Sequence, residues 1–531
     1  MKKLWIAGYF MIVIAALAFV AYKTLQIDPF FHYHAPNTAD YFYLLNNERS
    51  QNNGIARHFD YEGIITGTSM TENFKASEAE DLWGRTFIKV PYSGGSYNEI
   101  NMSLEAAVKY NPKLKVIIRG LDLEKFFDDK NQWRTDMGAY PTYLYDDYWY
   151  NDVEYVFNRS VLFSRLYPMM KENDNPDFQS GITSFDEYAN WMNNVNHYIF
   201  GHKTLVPDGF TTGKAKKPVK LTKKEKDVIR GNIRQNVIAL AEQHPDIDYY
   251  YFFTPYGEAW WYFLLADGKL DRQIEAERIV IEEILKCDNI KLFSFNGLFD
   301  ITTDLNNYKD YIHYGEWINS LMLHYMHDGK YQLTSDNYLD YLKEEKQFYK
   351  KADYNQMTRQ EDYEDDYYAA ALLNKEINKT EPFHILENAD SMELSDASVE
   401  EDHYNGQIGL VCTGTLGRSA RSPIPLSEYF RDLGYIGAKI QIPDITPYKY
   451  LVFYGKKLSK RGELALGLYD KNGEEEVIFN KDYHNLDKKW HQYVIDVSDC
   501  KGPCTLILNG GCIDKTGTKA SKSVFSEITL Y

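Results

Sequence analysis

Residues Gly63 to Phe74, with the sequence GIITGTSMTENF, combine a short apolar run with a serine at its end. The apolar run, Gly63 to Ile65, predicts a short buried strand, and the residues after Ser69 become polar and helix-like. A serine at such a strand-to-helix turn presents its hydroxyl above the sheet edge, where the first helical amides can bind an oxyanion. The alternative is that Ser69 caps a helix and that Glu72 completes a capping box.

The second segment that carries chemistry is Asp310-Tyr311-Ile312-His313. It follows the predicted strand 290–295 and precedes the helix-like segment 317–326. An aspartate three residues before a histidine can orient the imidazole, whose other nitrogen can then accept the proton of a serine hydroxyl. The structural alternative is that His313 bonds to the backbone near a helix cap.

Together the two segments resemble the SGNH (GDSL-like) hydrolase superfamily. The resemblance implies that Ser69 is the nucleophile, His313 the base and Asp310 the acid that orients the base. Residues 92–96, YSGGS, look like the second sequence block of the family. The oxyanion hole implied by the resemblance therefore combines the backbone amides of Ser69 and Gly94.

Two residues depart from the family pattern within the region of resemblance, which covers about residues 61–326. Asp122 stands where the family usually has an asparagine, and Thr68 replaces the usual aspartate before the nucleophile. An ionised Asp122 would repel an oxyanion unless the carboxyl group is protonated or turned away. Both departures fit the divergent, membrane-anchored SGNH proteins that acylate bacterial cell-wall polymers, as in teichoic-acid D-alanylation, which the N-terminus also resembles.

The length and composition of the 531-residue chain limit the class of protein to which it can belong. This length is too great for a single core and predicts two or three domains. The net charge of −18 argues against nucleic acid as a partner, because such binding needs clustered lysine and arginine. The 45 tyrosines could line sugar-binding grooves or fill an aromatic-rich core. Nothing in the sequence indicates a cofactor or a metal site, although His32 and His34 have a spacing that can ligate a metal.

The N-terminus predicts a membrane anchor, residues 1–23. Leu4 to Tyr22 carries no charge and is long enough to span a bilayer as a helix. The lysines at positions 2 and 3 favour a cytoplasmic N-terminus, so the bulk of the chain is expected on the extracytoplasmic side of the cell membrane. A cleaved signal peptide is the alternative, because Ala16-Leu17-Ala18 is an acceptable cleavage site.

Residues 24–350 are predicted to form an α/β domain, because short apolar runs alternate with amphipathic stretches after Tyr61. The crossovers are long enough for parallel strands with helices on both faces, the three-layer arrangement that the SGNH resemblance implies. Residues 124–220 interrupt this rhythm as an insertion rich in Tyr, Trp, Asp and Asn. The insertion is expected beside the cleft, as a source of specificity or as a structural cap. Residues 351–385 are predicted to be a linker.

Residues 386–531 show short alternating runs separated by turns, which predict a β-sandwich. The pattern resembles the jelly-roll modules that bind carbohydrate, and a purely structural sandwich is the alternative. Of the five cysteines, Cys500 could bridge with Cys504 or Cys512 in an oxidising compartment. The eight predicted strands are 408–412, 438–442, 450–454, 464–469, 476–479, 490–497, 505–508 and 524–530.

These observations predict a membrane-anchored SGNH-type serine O-acyltransferase that acts on a cell-envelope glycan or glycopolymer through an acyl-serine intermediate. A carbohydrate esterase (deacetylase) would use the same triad and is an open alternative. A non-catalytic scaffold that binds glycan is the second alternative, and Asp122 is the residue that favours it most. The anchor and the family resemblance also imply a membrane-bound O-acyltransferase as a partner.

Overall fold

The chain forms two compact units, Met1–Glu361 and Asp362–Tyr531. The computed structural model describes residues 2–172, 178–194, 200–201, 205–207, 210–360, 382–388, 391–400, 408–417, 435–460, 462–473, 475–481, 486, 488, 490–498, 500–514 and 521–531.

The chain begins with the helix α1, Lys2–Ile27. Within its segment Lys3–Ile27, an 18-residue window has a mean hydropathy of 2.4 and no buried residue, so the segment is long and apolar enough to cross a membrane. A signal sequence would have the same properties. The helix continues past the predicted anchor, residues 1–23, and ends directly before the folded part of the unit.

A six-stranded sheet forms the centre of the first unit. Its strands lie side by side in the order β2 (Phe87–Pro91), β1 (Gly63–Gly67), β3 (Val116–Leu121), β4 (Asp248–Phe253), β5 (Ile290–Ser294) and β6 (Gln332–Leu333). Strands β1 to β5 are parallel, and β6 is antiparallel to β5. The predicted parallel sheet is therefore present, with one short antiparallel strand at its edge. In chain order the elements are α2 Glu48–His58, β1 Gly63–Gly67, α3 Ala76–Trp83, β2 Phe87–Pro91, α4 Tyr97–Tyr110, β3 Val116–Leu121, α5 Lys223–Ile233, β4 Asp248–Phe253, α6 Glu258–Ala266, α7 Leu270–Ile284, β5 Ile290–Ser294, α8 Glu316–His327, β6 Gln332–Leu333 and α9 Tyr338–Lys351.

Helical segments cover both faces of this sheet. On β4, the hydroxyls of Tyr249 and Tyr251 donate to backbone carbonyls of the helical segment 234–243. Tyr250, between them, packs its ring against Trp83 of α3. Because successive residues of a strand point to opposite sides, α3 and the segment 234–243 lie on opposite faces. The coarse three-layer α/β prediction is confirmed.

The predicted insertion, residues 124–220, contributes no strand to the main sheet in its described part. It contains the short helix Val153–Val156 and a longer helical segment, residues 159–172. Its two-residue strand Gly181–Ile182 pairs in parallel with Phe42–Tyr43. The insertion is thereby attached to the lead-in segment that follows α1.

Residues at both ends of the predicted linker, 351–385, belong to the folded units. Tyr354 and Met357 are buried in the first unit, and Phe383–His384 pairs with the last strand of the second unit. The acidic run 361–366 lies outside the described residues.

The second unit contains two antiparallel sheets that share one apolar core, which makes it a β-sandwich. Ile440 and Leu466 from one sheet and Leu451 and Phe525 from the other are fully buried in the same cluster. The first sheet has the order Met392–Ser395, Gly437–Ile442, Cys504–Asn509, Leu464–Asp470 and Glu475–Lys481, and the second has Ala397–Glu400, Gly409–Thr413, Lys522–Leu530, Tyr450–Lys457 and His491–Asp496.

All eight predicted strands of the sandwich are present. The prediction missed Met392–Ser395 and Ala397–Glu400, because few of their side chains are buried and the apolar alternation is weak. It also missed the short parallel pair Thr415–Gly417 and Cys512–Asp514. Cys500 and Cys504 are buried in the sandwich core, and the side chain of Cys512 lies outside the described part.

Candidate functional site

The predicted site lies at the carboxyl edge of the parallel sheet, where the strand order reverses. Strand β1 stands between β2 and β3, so the crossovers on its two sides run in opposite directions. Open α/β sheets bind ligands in the crevice at such a reversal. Ser69 follows β1 by two residues, and Asp122 directly follows β3.

Ser69 opens a short 3₁₀ turn, Ser69–Thr71. The cap of this turn is Thr68, whose hydroxyl accepts a hydrogen bond from the Met70 amide at 3.4 Å. At Gly67, φ is +152° and a Cβ would lie 2.5 Å from the Thr71 side chain, so the tight exit from β1 requires glycine. The alternative in which Ser69 caps the helix is therefore wrong.

Ser69, His313 and Asp310 form one continuous hydrogen-bonded relay. Ser69 Oγ lies 2.8 Å from His313 Nε2, and His313 Nδ1 lies 2.7 Å from Asp310 Oδ2. A carboxylate can only accept, so the His313 proton sits on Nδ1 and Nε2 is left to accept from the Ser69 hydroxyl. The structure brings the three predicted residues together across 244 positions of sequence.

The Asp310 carboxylate is fixed by its own loop. Its Oδ1 accepts from the backbone amides of Ile312 and His313 at 3.0 and 2.8 Å. Partial burial works to raise the pKa of Asp310, but the hydrogen bonds and the charge of His313 outweigh burial and hold this pKa below its ordinary value. Asp310 is therefore ionised at neutral pH and can stabilise a protonated imidazole.

The second predicted oxyanion donor, Gly94, lies in the loop after β2. Neighbouring strands bring this loop beside the Ser69 turn, and the Tyr92 amide donates to the Gly67 carbonyl at 2.8 Å. Gly94 has a φ of +59°, and a Cβ there would lie 2.6 Å from the Arg134 guanidinium. Arg134 also donates to the Ser93 carbonyl. Among the described residues, none accepts a hydrogen bond from the amide of Ser69 or Gly94.

Asp122 and Thr68, the two departures from the family pattern, contact each other. The Thr68 hydroxyl donates to Asp122 Oδ2 at 2.6 Å, and the Tyr256 hydroxyl donates to Asp122 Oδ1 at 2.8 Å. Burial raises the pKa of Asp122, and these two hydroxyl donors partly oppose the rise. Both carboxyl oxygens are thus engaged by hydroxyls, one of them on the residue directly before Ser69. Asp122 therefore supports the Ser69 turn, and it does not supply the amide donor expected from the SGNH resemblance.

A pair of carboxyl groups, missed by the sequence prediction, joins the Ser69 turn to the Gly94 loop. Glu48 accepts from the Ser93 amide at 2.6 Å, and its carboxyl group hydrogen-bonds that of Glu72, which directly follows the turn. Burial and the neighbouring Glu48 raise the pKa of Glu72 to about 9, and burial also raises the pKa of Glu48. The pair therefore shares a proton at neutral pH. Glu48 is the first residue of α2, and no apolar periodicity in the sequence pointed to it.

A cleft of about 530 Å³ opens beside this carboxyl pair. Trp191, from the insertion, contributes to its wall and meets the His313 ring edge-on with centroids 6.2 Å apart. The ammonium of Lys309 lies 3.6 Å from the Trp191 ring centre. The insertion thus borders the site, as predicted from its position after a strand end. The lining residues are Leu45, Asn46, Asn47, Glu48, Arg49, Glu72, Tyr92, Ser93, Gly95, Met137, Glu187, Tyr188, Ala189, Asn190 and Trp191.

Comparison with known proteins does not identify a family. No protein-family model matches the chain, and no curated protein matches it.

Similar solved structures align with about a quarter of the chain. The chain covers 23% of an arabinose-bound GH51 α-L-arabinofuranosidase, with 27% of this chain aligned at 11% identity and a TM-score of 0.19. It aligns over 27% of its own length with 82% of the family 11 carbohydrate-binding module of a Clostridium thermocellum cellulase, at 14% identity and a TM-score of 0.17. It aligns over 28% with 98% of the C-terminal CBM6 of LamC from Zobellia galactanivorans, at 12% identity and a TM-score of 0.15. Likeness at this level establishes neither fold nor function.

Proposed function

We propose that this chain is an SGNH-type serine O-acyltransferase that acts on a cell-envelope glycan or glycopolymer outside the cell membrane. The relay from Asp310 through His313 to Ser69, with contacts of 2.7 and 2.8 Å, carries this proposal. The position of Ser69 after the first strand of a doubly wound sheet supports it as well.

In the proposed reaction, His313 Nε2 takes the proton of Ser69 Oγ while Oγ attacks the acyl carbonyl carbon. The amides of Ser69 and Gly94 bind the oxyanion, and ionised Asp310 stabilises the imidazolium. His313 then protonates the leaving group, and an acyl-serine ester is formed. A sugar hydroxyl, deprotonated by His313, attacks this ester and takes the acyl group, and His313 returns the proton to the departing Ser69 Oγ.

The assignment to acyl transfer rests on the surroundings of the relay. An apolar N-terminal helix would hold the enzyme at a membrane, where a membrane-bound O-acyltransferase could supply the acyl group. The cleft offers carboxyl, amide and aromatic side chains, which suit the hydroxyls and apolar faces of a sugar. The scaffold alternative relied on Asp122, but both oxygens of that carboxyl group are engaged by hydroxyl donors.

Mass spectrometry of envelope polymers from a deletion strain tests the proposal. Complementation with the wild-type gene restores acyl groups that the deletion lacks, and Ser69→Ala does not restore them. Ser335→Ala, at an exposed serine after β6, is the control and behaves as wild type. An excess of acyl groups in the deletion strain would indicate the esterase, and unchanged acylation would contradict both activities.

A further inference from the structure

The helix α1 joins the first unit without a free linker. The Tyr43 hydroxyl donates to the Ile27 carbonyl at 2.6 Å, and the Thr24 hydroxyl donates to the Val156 carbonyl at 3.3 Å. Directly after the helix, the buried Asp28 carboxylate accepts from the Tyr33 amide and from the fully buried Tyr155 hydroxyl, at 2.6 and 2.7 Å. The direction of α1 relative to the α/β unit is therefore fixed.

A second helix packs against α1 where α1 enters the unit. We call residues 159–172 the juxtamembrane helix. Its buried side chains include Val161 and Leu166, whereas Phe163 and Tyr167 are 67% and 61% exposed. Arg159 and Lys171 are also exposed. One side of this helix is thus bound to the protein, while Phe163, Tyr167, Arg159 and Lys171 face outwards.

Further exposed aromatic side chains precede this helix in the chain. Tyr148, Trp149 and Tyr150 are 58%, 83% and 64% exposed, and Phe157 is 40% exposed. The helix Val153–Val156, which lies between them, also packs against α1. We call Tyr148, Trp149, Tyr150, Phe157, Phe163 and Tyr167 together the aromatic surface.

We propose that the aromatic surface and the juxtamembrane helix lie in the headgroup layer of the bilayer that α1 crosses, and so form a second membrane contact. Trp and Tyr rings favour this layer because they are apolar with one polar edge. A helix with exposed aromatic and basic side chains lies along a membrane surface in the same way. The proposal rests on α1 as a membrane span, the anchoring part of the proposed function, and does not depend on the chemistry of Ser69.

The second contact would hold the cleft beside the bilayer. Arg165 of the juxtamembrane helix donates to the Asn46 side chain and to the Leu44 carbonyl. Asn46 lines the cleft beside Leu45. A membrane-held helix would therefore position one wall of the cleft directly, and the substrate class that fits this placement is one carried at the membrane surface.

Lipid photocrosslinking of the full chain in nanodiscs tests this proposal. The probe is a phosphatidylcholine and phosphatidylglycerol bilayer that contains a phospholipid with a headgroup-proximal diazirine. Adducts mapped by mass spectrometry are expected on residues 148–167, at about ten times the level on helix α9, whose exposed Leu339 is the apolar control. In Phe163→Glu/Tyr167→Glu, adducts on this segment fall about fivefold while those on α1 persist.

Two results would overturn the proposal in distinguishable ways. Adducts on α1 with only the control level on residues 148–167 would show that the helix meets the bilayer and that the aromatic surface does not. Adducts on neither segment would show that α1 is not a membrane span. Either result leaves the reactivity of Ser69 to be judged separately by serine labelling.

Discussion

Asp310 determines which His313 nitrogen carries the proton. Its replacement therefore tests whether Asp310 orients the His313 imidazole or has only a structural role. In Asp310→Asn, the amide can donate to Nδ1, which favours the tautomer whose Nε2 carries a proton and cannot accept one from Ser69. We expect the rate of Ser69 phosphonylation by a fluorophosphonate to fall about 10²- to 10⁴-fold.

The chain offers a matched control for this substitution. Asp328 faces His327 at 3.5 Å on the surface at the end of α8, so Asp328→Asn removes an aspartate–histidine contact outside the site. This variant is expected to react at the wild-type rate. Equal rates for the two variants would show that Asp310 does not orient a reacting imidazole.

We expect Asp122 to stabilise the fold by accepting hydrogen bonds from two hydroxyl groups. In Asp122→Ala, the Thr68 and Tyr256 hydroxyls lose a buried acceptor, which costs about 1–3 kcal/mol each. Asp122→Asn keeps one acceptor oxygen and is expected to cost less. Denaturant unfolding measures both, and equal losses for the two variants would contradict this account.

Single functional residues can be predicted from the sequence where the neighbouring residues form a recognisable strand, turn or helix. Ser69 follows an apolar strand, and Asp310 and His313 stand three residues apart before a helix. No local pattern points to Glu48 or Tyr256, because the residues that they contact are 45 and 134 positions away in the sequence. Only the folded chain shows that Asp122 contacts Thr68.

At the scale of elements, the Ser69 turn and the Gly94 loop are tied together by a shared proton. The pKa of Glu72 is raised from 4.5 to about 9, so between these values the folded chain retains a proton that the unfolded chain has lost. The free energy of unfolding therefore falls as the pH rises through this range, by at most about 1.4 kcal/mol per pH unit. In Glu72→Gln, which cannot release a proton, the part of this fall due to Glu72 is expected to disappear, while the parts due to the buried Glu258 and Glu345, whose pKa values burial raises to about 7, remain.

The buried Lys89 opposes this fall in the free energy of unfolding above about pH 7. Lys89 donates to the Phe74 carbonyl at 2.8 Å, and burial lowers its pKa from 10.5 to about 7. The contribution of Lys89 to stability rises with pH between about 7 and 10.5, opposite in sign to that of Glu72. Thermal unfolding of wild type and Glu72→Gln between pH 5 and 7 is the measurement. A difference between the two that is constant over this range would refute the shared proton, and exposed Glu154→Gln is the control.

Most elements of the α/β unit follow from apolar periodicity, because a buried face repeats regularly in the sequence. The predicted helix 221–243 is instead interrupted by a π-helical turn, Arg234–Ile238, that periodicity does not encode. The strand order is likewise not predicted from the sequence, since adjacency depends on how distant crossovers pack.

At the scale of the whole molecule, the sandwich has the core of an independent domain. Its buried cluster draws on both sheets and lies entirely within residues 385–530. We expect residues 382–531, expressed alone, to unfold in one cooperative transition with a β-type circular dichroism spectrum. A matched variant, Leu466→Ala, deletes a fully buried side chain and is expected to lower the stability by about 2–5 kcal/mol. A fragment without a cooperative transition would show that the sandwich depends on the rest of the chain.

The proposed function depends on Ser69 being a nucleophile that His313 activates. Intact-mass and peptide analysis of the purified full chain, treated with a fluorophosphonate, measures this most directly. We expect one adduct per chain, on Ser69, that is absent in Ser69→Ala and forms about 10³-fold or more slowly in His313→Ala. Failure of the wild-type chain to react, or reaction at Ser69 that is equally fast without His313, would contradict it.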